Sequence, residues 1–252
     1  MSMIPSSITV FFPAYNDEAT IGSLVIAALQ TLPRVTEDYE VLVVNDGSSD
    51  HTAEVLDALA GLYPQVRVIH HAQNRGYGGA LRSGFANARK EWVFYTDGDG
   101  QYDPRELVQL VAALRHDVDV VNGYKMARSD PLYRIVIGRL YHHFTRVAFG
   151  IRLRDVDCDF RLIRRRILET IPLESDTGTI CVEMIRKFQE AGCRIVEVPV
   201  HHYHRVAGRS QFFRFRRLCR VALHLLRLWW KLIVRSEHHR NVLPANAMVA
   251  DD

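Results

Sequence analysis

Trp92-Val93-Phe94-Tyr95-Thr96-Asp97-Gly98-Asp99-Gly100-Gln101-Tyr102-Asp103-Pro104-Arg105-Glu106 is the stretch from which the fold can be read. Residues 92–96 form a short apolar and aromatic run, the pattern of a strand buried on both faces. Asp103-Pro104-Arg105-Glu106 is a helix start, with an acceptor at the N-cap, proline at N1 and Glu at N3. Asp-Gly-Asp-Gly lies between them. A strand that passes through a polar turn into a helix is the unit of an open α/β sheet. In such sheets ligands gather at the carboxyl ends of the strands.

The same unit repeats to either side. Apolar runs at 8–12, 40–44, 66–70 and 118–122 predict further strands, and helical spacing predicts helices over 17–32, up to about 62 and over 79–88. Asn16 is a plausible N-cap for the first helix. The alternation implies a mostly parallel, doubly wound sheet. Three strands end in polar clusters, Pro13-Ala14-Tyr15-Asn16-Asp17, Asn45-Asp46-Gly47 and Asp97-Gly98-Asp99, and all three should open onto one edge. Further on, 131–149 and 178–191 read as helices and 194–200 as a strand. In 212–234 the residues Arg217, Arg220, His224, Arg227 and Lys231 make a narrow cationic stripe on an otherwise apolar helix containing Trp229 and Trp230. Residues 236–252 lose periodicity and read as a tail.

The length suits one large domain or a domain with a short extension. With 48% hydrophobic residues, disorder is excluded for most of the chain. Charge divides unevenly. Residues 1–126 carry 9 basic and 16 acidic side chains, a net of −7, and 127–252 carry 23 and 13, a net of +10. Of the 32 basic residues 28 are Arg, the side chain suited to bidentate phosphate binding. This suggests a metal or neutral group in the first half and anions in the second. Cys158, Cys181, Cys193 and Cys219 lack CxxC spacing, so a disulfide framework is not expected and a reduced compartment is the default. The first residues carry no secretory pattern, and no run of 18 apolar residues predicts a membrane span. No nucleic-acid module is recognisable.

The first strand-to-helix turn lacks glycine, and Gly76-Tyr77-Gly78-Gly79 follows the third strand instead, which argues against a dinucleotide enzyme. Asp97, Asp99 and Gln101 supply hard oxygen ligands at a strand end. They suit Mg²⁺ or Mn²⁺ that takes its remaining oxygens from a diphosphate. The alternative reading of these residues, and of Asp46 in Asp-Gly-Ser-Ser, is a solvated turn. Asp103 is better explained as the cap. Asp155, Asp157 and Asp159 are candidates for a base, with Asp157 preferred, or for orienting Arg161. The other reading pairs them with Arg152, Arg154 and Arg161. His201, His202 and His204 lack a third soft ligand for zinc, so they read as a strand-end cluster beside Arg205. His70-His71 and His142-His143 read as ordinary histidines.

FPAYNDEATIG (12–22), VLVVNDGSSDHT (41–52), NRGYGGALRSGF (74–85) and YTDGDGQYDP (95–104), in this order, resemble the nucleotide-sugar domain of glycosyltransferase family 2 over roughly residues 7–211. The resemblance implies a GT-A fold, a nucleotide-diphosphate sugar donor and a divalent metal. It implies that Pro13, Tyr15, Asp17 or Glu18, Val44 and Asp46 line the nucleotide site. Asp97, Gly98 and Asp99 would form the DxD motif, completed by Gln101. Residues 155–162 and Arg205-Val206-Ala207-Gly208-Arg209-Ser210 are similar to the polyprenyl-phosphate sugar transferases, which include the dolichol-phosphate mannose synthases and their undecaprenyl relatives. By that likeness Lys125 and Arg205 reach the donor diphosphate, and Arg134, Arg139 and Ser210 the acceptor phosphate. Where the mannose synthases tend to have Lys after Gly-x-Ser, this chain has Gln211.

The expected architecture is therefore a GT-A catalytic domain at 1–211, an amphipathic membrane-surface helix at 212–235 and a tail. The expected function is inverting transfer of a monosaccharide to a polyprenyl phosphate. The enzyme would be peripheral on the cytoplasmic face of a membrane, with a possible membrane-bound partner and no nucleic acid. Asp99, Asp157 and Arg161 would carry the chemistry. A family 2 transferase with a saccharide or soluble acceptor is the alternative enzyme, and an inactive membrane-recruited scaffold the non-enzyme alternative.

Overall fold

The computed structural model describes residues 3–126, 132–205 and 215–235; for 132–137, 139–140 and 215–220 the description is of the backbone. Seven strands form one sheet: β1 (Ser7–Ala14), β2 (Asp38–Asn45), β3 (Val66–His70), β4 (Trp92–Thr96), β5 (Val120–Lys125), β6 (Phe160–Arg164) and β7 (Ile195–Val200). Their order is β3-β2-β1-β4-β6-β5-β7. β3, β2, β1 and β4 run parallel, as do β5 and β7, while β6 is antiparallel to both its neighbours. All of β1 is buried, as a parallel strand covered on both faces must be.

The helices are α1 (Ile21–Thr31), α2 (Thr52–Leu62), α3 (Gly76–Asn87), α4 (Leu107–Ala112), α5 (Leu132–Phe149), α6 (Arg165–Thr170), α7 (Ile180–Glu190) and α8 (Phe215–Trp229). Successive side chains of β1 feed opposite cores. Val10 and Phe12 pack with Leu24 and Leu110, whereas Phe11 packs with Leu81, Phe85 and Met184. Asp103 caps as expected, its carboxylate accepting from Arg105 N at 2.9 Å, but Pro104–Glu106 form a 3-10 turn before α4.

Three expectations need correction. Asn16 does not cap α1, which starts at Ile21; it has φ 57°, and its Oδ1 accepts from Ser49 N at 2.8 Å across the cleft floor. The glycine run belongs to α3, which begins at Gly76 and not at 79. β6 and α6 lie in a stretch read only as a charged motif. A strand is possible there because Arg161 has its own buried partners.

α8 lies against the domain and continues into a π-helical turn, Trp230–Val234. Leu225, Leu228 and Leu232 join the core, each contributing about 1.5–3 kcal/mol by burial. Trp229 Nε1 donates to Ala148 O at 2.9 Å. Leu223, Leu226, Trp230 and Val234 remain exposed. Among the described residues, no helix is long and apolar enough to cross a membrane. The 236–252 tail lies outside the described residues.

Candidate active site

The ends of β2, β1 and β4 are neighbours, so the three polar clusters meet at one rim. Asp46 N donates to Ala14 O at 2.9 Å, and Gly98 N to Pro13 O at 3.3 Å. A side chain at position 98 would meet Pro13 O at 2.9 Å, so glycine is what lets the two loops touch. Thr20 Oγ1 donates to Gly98 O at 2.7 Å. Asn16 N donates to Ser48 Oγ, Asp17 N to Thr52 Oγ1 and Glu18 N to Asp50, while Glu18 Oε2 accepts from His51 N. Much of the polar capacity of 16–18 is thus used to stitch two loops together, and the Tyr15 ring stays exposed. Val44 is buried beneath, and the Asp46 carboxylate is fixed by His71 Nδ1 at 2.6 Å and Arg75 N at 2.8 Å. His71 in turn meets Ser83 Oγ at 2.9 Å, so this buried histidine holds the Asp46 carboxylate in place.

Asp97 Oδ1 accepts from the Tyr77 hydroxyl at 2.7 Å. Asp99 accepts from Gln101 N at 3.0 Å and forms an ion pair with Arg205. The Gln101 amide donates to Tyr203 O at 3.2 Å, and Tyr203 N to Gln101 O at 2.8 Å, which ties the exit of β7 to the Asp-Gly-Asp loop. Gln101 therefore braces the loop in addition to any contact with a metal. His201 Nδ1 lies 2.8 Å from Glu106 Oε1, and His202 packs edge-on to Tyr102.

Behind this loop lies a buried polar floor. Arg161 is fully buried: its Nε donates to Asn122 Oδ1 at 2.5 Å, and its other nitrogens to Tyr95 Oη and Val156 O. It is therefore a positioning residue that holds the 155–159 loop, not a group that reaches substrate. Asp159 lies 3.9 Å from it and accepts from Cys181 Sγ at 3.1 Å. Lys125 Nζ donates to Asp157 O at 3.0 Å, and the Arg154 guanidinium lies over the Tyr124 ring. Burial, and next the charge of Asp157, hold the hydroxyl of Tyr141, on α5, well above the usual tyrosine range. The sequence offered little to single out Tyr95 and Asn122 as partners of Arg161. Tyr77 at least stood out in a glycine run. Arg134 and Arg139 fall on α5, but their side chains lie outside the described part, as does Ser210 altogether.

The electrostatics of the rim are those of crowded carboxylates. Burial, then the charges of Asp159 and Asp99, push Asp97 well above the usual carboxylate range. Burial lifts Asp17 to about 6, with Asp99 adding to the effect. Asp157 rises to about 7, first through burial and then through Asp155. Burial disfavours the Lys125 charge, yet the surrounding carboxylates, Asp155 foremost, raise it overall. Among the described residues no three His, Cys, Asp or Glu side chains converge to hold a metal unaided. Two carboxylates set among like charges fit a hard divalent cation that completes its shell with diphosphate oxygens and water.

Residues 9–172 match Glycosyl transferase family 2. The chain belongs to that family. Among its relatives, Glycosyltransferase AglD of Haloferax volcanii is 31% identical over 244 residues, covering 93% of this chain and 39% of the relative. The undecaprenyl-phosphate 4-deoxy-4-formamido-L-arabinose transferase of Yersinia enterocolitica is 30% identical over 207 residues, covering 81% and 62%. The chain thus spans well under half of one relative and about three fifths of the other. Glucosyl-3-phosphoglycerate synthase of Mycobacterium tuberculosis, solved with Mn²⁺, UDP and glucosyl-3-phosphoglycerate, superposes with a TM-score of 0.68 at 20% identity, covering 90% of this chain and 79% of that one. The expected family and GT-A-type fold are therefore correct.

Proposed function

We propose that this chain transfers one monosaccharide from a UDP- or GDP-sugar to a polyprenyl phosphate, with inversion and with Mg²⁺ or Mn²⁺. The observation that carries the reading is the meeting, at one rim, of Asp97 and Asp99 with the Asp155–Asp159 loop, Lys125 and Arg205. The undecaprenyl-phosphate specificity in the name of the Yersinia relative supports the acceptor class. Asp97, Asp99 and Gln101 would hold the metal. When bound, the metal offsets charge on the departing diphosphate.

In the reaction a phosphate oxygen of the acceptor attacks the anomeric carbon. The bond from that carbon to the diphosphate oxygen breaks, and the nucleoside diphosphate leaves with the electron pair. Tyr15 and Asp46 contribute to the donor site. Lys125 and Arg205 are cations near the leaving group, and Asp157 takes the acceptor's proton when there is one. A phosphate monoester has a second pKa of about 6, so at neutral pH most of the acceptor needs no base. In-line positioning then supplies much of the rate.

A screen of UDP- and GDP-sugars against a short polyprenyl phosphate, read by product mass, tests the assignment. Transfer only to sugars or other soluble hydroxyl acceptors would move the chain to the alternative enzyme class. Donor turnover of neither kind would leave the scaffold.

The membrane is reached, in this reading, through α8 and the turn after it. Leu226, Arg227, Trp230, Lys231 and Arg235 line a shallow groove, an apolar strip edged by cations. Cations near an anionic leaflet contribute about 1 kcal/mol each. The enzyme would act peripherally on the cytoplasmic face, with the acceptor at hand and a membrane-bound partner possible. The protein is expected to sediment with anionic vesicles at low salt and less so at high salt, and Trp230→Asp to weaken this. Equal supernatant recovery with and without vesicles contradicts the surface assignment.

A further inference from the structure

We propose that Tyr77 is the positioning residue of the metal site: its hydroxyl fixes the Asp97 carboxylate in the orientation that receives a divalent cation. The inference rests on the divalent-cation reading of Asp97 and Asp99. It also gives a task to the glycine run of 76–79, which a dinucleotide site would have needed in the first turn and which here follows the third strand.

Asp97 needs an external constraint. It ends β4 and is followed by Gly98 and Gly100, with Asp99 and Asp159 nearby to repel it. Its Oδ1 is 2.7 Å from Tyr77 Oη. A tyrosine hydroxyl donates from the end of a rigid ring and leaves the second carboxylate oxygen free. Groups outside the ligand shell that orient ligating carboxylates typically hold metal affinity in this way.

The base beneath Tyr77 is built for placement. Its ring packs against the core cluster of Tyr95, Val156 and Cys181. The backbone on either side lies directly on the loop before α7, with Gly78 N donating to Asp176 O at 3.0 Å. A Cβ on Gly78 would collide with Ser175 O, and Gly76 has φ +79° with Asp176 O at 2.5 Å from where its Cβ would be. Only glycine permits that approach.

The supporting loop is itself held. Buried Glu183 accepts from Glu174 N at 3.0 Å and Ser175 N at 2.9 Å, and Lys187 Nζ bonds Glu183 Oε1 at 2.7 Å and Pro172 O at 2.5 Å. Arg82 pairs with Asp176 on the outer side. A chain of contacts therefore runs from a buried ion pair through two backbone segments to one hydroxyl on one carboxylate oxygen.

The test titrates Mn²⁺ into the full chain in the presence of UDP, with GDP in a parallel arm, reading free Mn²⁺ by electron paramagnetic resonance. Tyr77→Phe keeps the ring and removes only the donor. It is expected to weaken Mn²⁺ binding about tenfold or more, while nucleotide affinity in EDTA changes by less than about twofold. Wild-type Mn²⁺ affinity in Tyr77→Phe overturns the proposal, as does an equal loss of metal-free nucleotide affinity, which marks a general structural role. A wild-type chain that binds no Mn²⁺ with either nucleotide overturns the metal reading itself.

Discussion

Asp99→Ala is expected to reduce metal-dependent sugar transfer by a factor of about 10³ or more, since removing one group that stabilises transition-state charge commonly costs 10²–10³ and this change also removes a ligand. The domain should stay folded. Among the described residues the Asp99 carboxylate bonds the backbone N–H of Gln101 and pairs with Arg205, both at the rim. Asp99 is buried and Arg205 partly exposed, so the loss of this ion pair and one loop hydrogen bond amounts to about 1–3 kcal/mol. Initial rates with saturating Mn²⁺, beside a thermal melt, separate the two effects. Turnover near that of wild type, in a folded variant, contradicts the proposed chemistry.

The second large effect is at Asp157, proposed as the proton acceptor. Its folded-state pKa of about 7 lies above the ordinary carboxylate value of 3.8, so between those values the folded chain binds more proton at this site than the unfolded chain. Stability attributable to the group is full below the lower value and declines as pH rises through the higher one. Asp157→Asn removes that penalty. The variant is expected to melt higher than wild type at pH 8, by on the order of 2 kcal/mol, with little difference near pH 4.

Its activity should move the other way. Wild-type transfer is expected to rise with pH through about 7, as Asp157 ionises. For a hydroxyl acceptor, loss of the base should cost about 10²–10⁴. For a phosphate acceptor the deficit should shrink toward pH 8, where the acceptor, with a second pKa of about 6, is already ionised. A destabilised variant at pH 8, or a flat wild-type profile through neutrality, contradicts the role given to Asp157.

What could be read from the chain differs by element. β3 and β4 were bounded correctly because 66–70 is rich in β-branched residues and 92–96 is an almost wholly apolar and aromatic run, each followed by turn residues. The meeting of Asp46, Asp97 and Pro13 followed from parallel strands alone. β6 was missed because Arg161 sits at a buried strand position, and its acceptors Tyr95 and Asn122 come from two strands far apart in sequence. No periodicity announces such a partnership. Asn16 was misread for a related reason. Its side chain is an ordinary cap acceptor, but the nearer competitor in space was Ser49, 33 positions away. The role of Arg161 was misjudged by type: an Arg beside three Asp reads as chemistry, whereas its complete burial makes it a brace.

The reversed direction of β6 has a consequence for how the molecule can change over time. Segments leaving β4 and β5 emerge at the reactive rim, and because β6 points the opposite way, the segment that enters it arrives at that same rim. The loops proposed to serve donor and acceptor are therefore neighbours in space yet anchored on separate strands. In the proposed reaction, exposed positions of the loop before β6 can change acceptor preference, provided that buried Val156 keeps its place in the core beneath Tyr77.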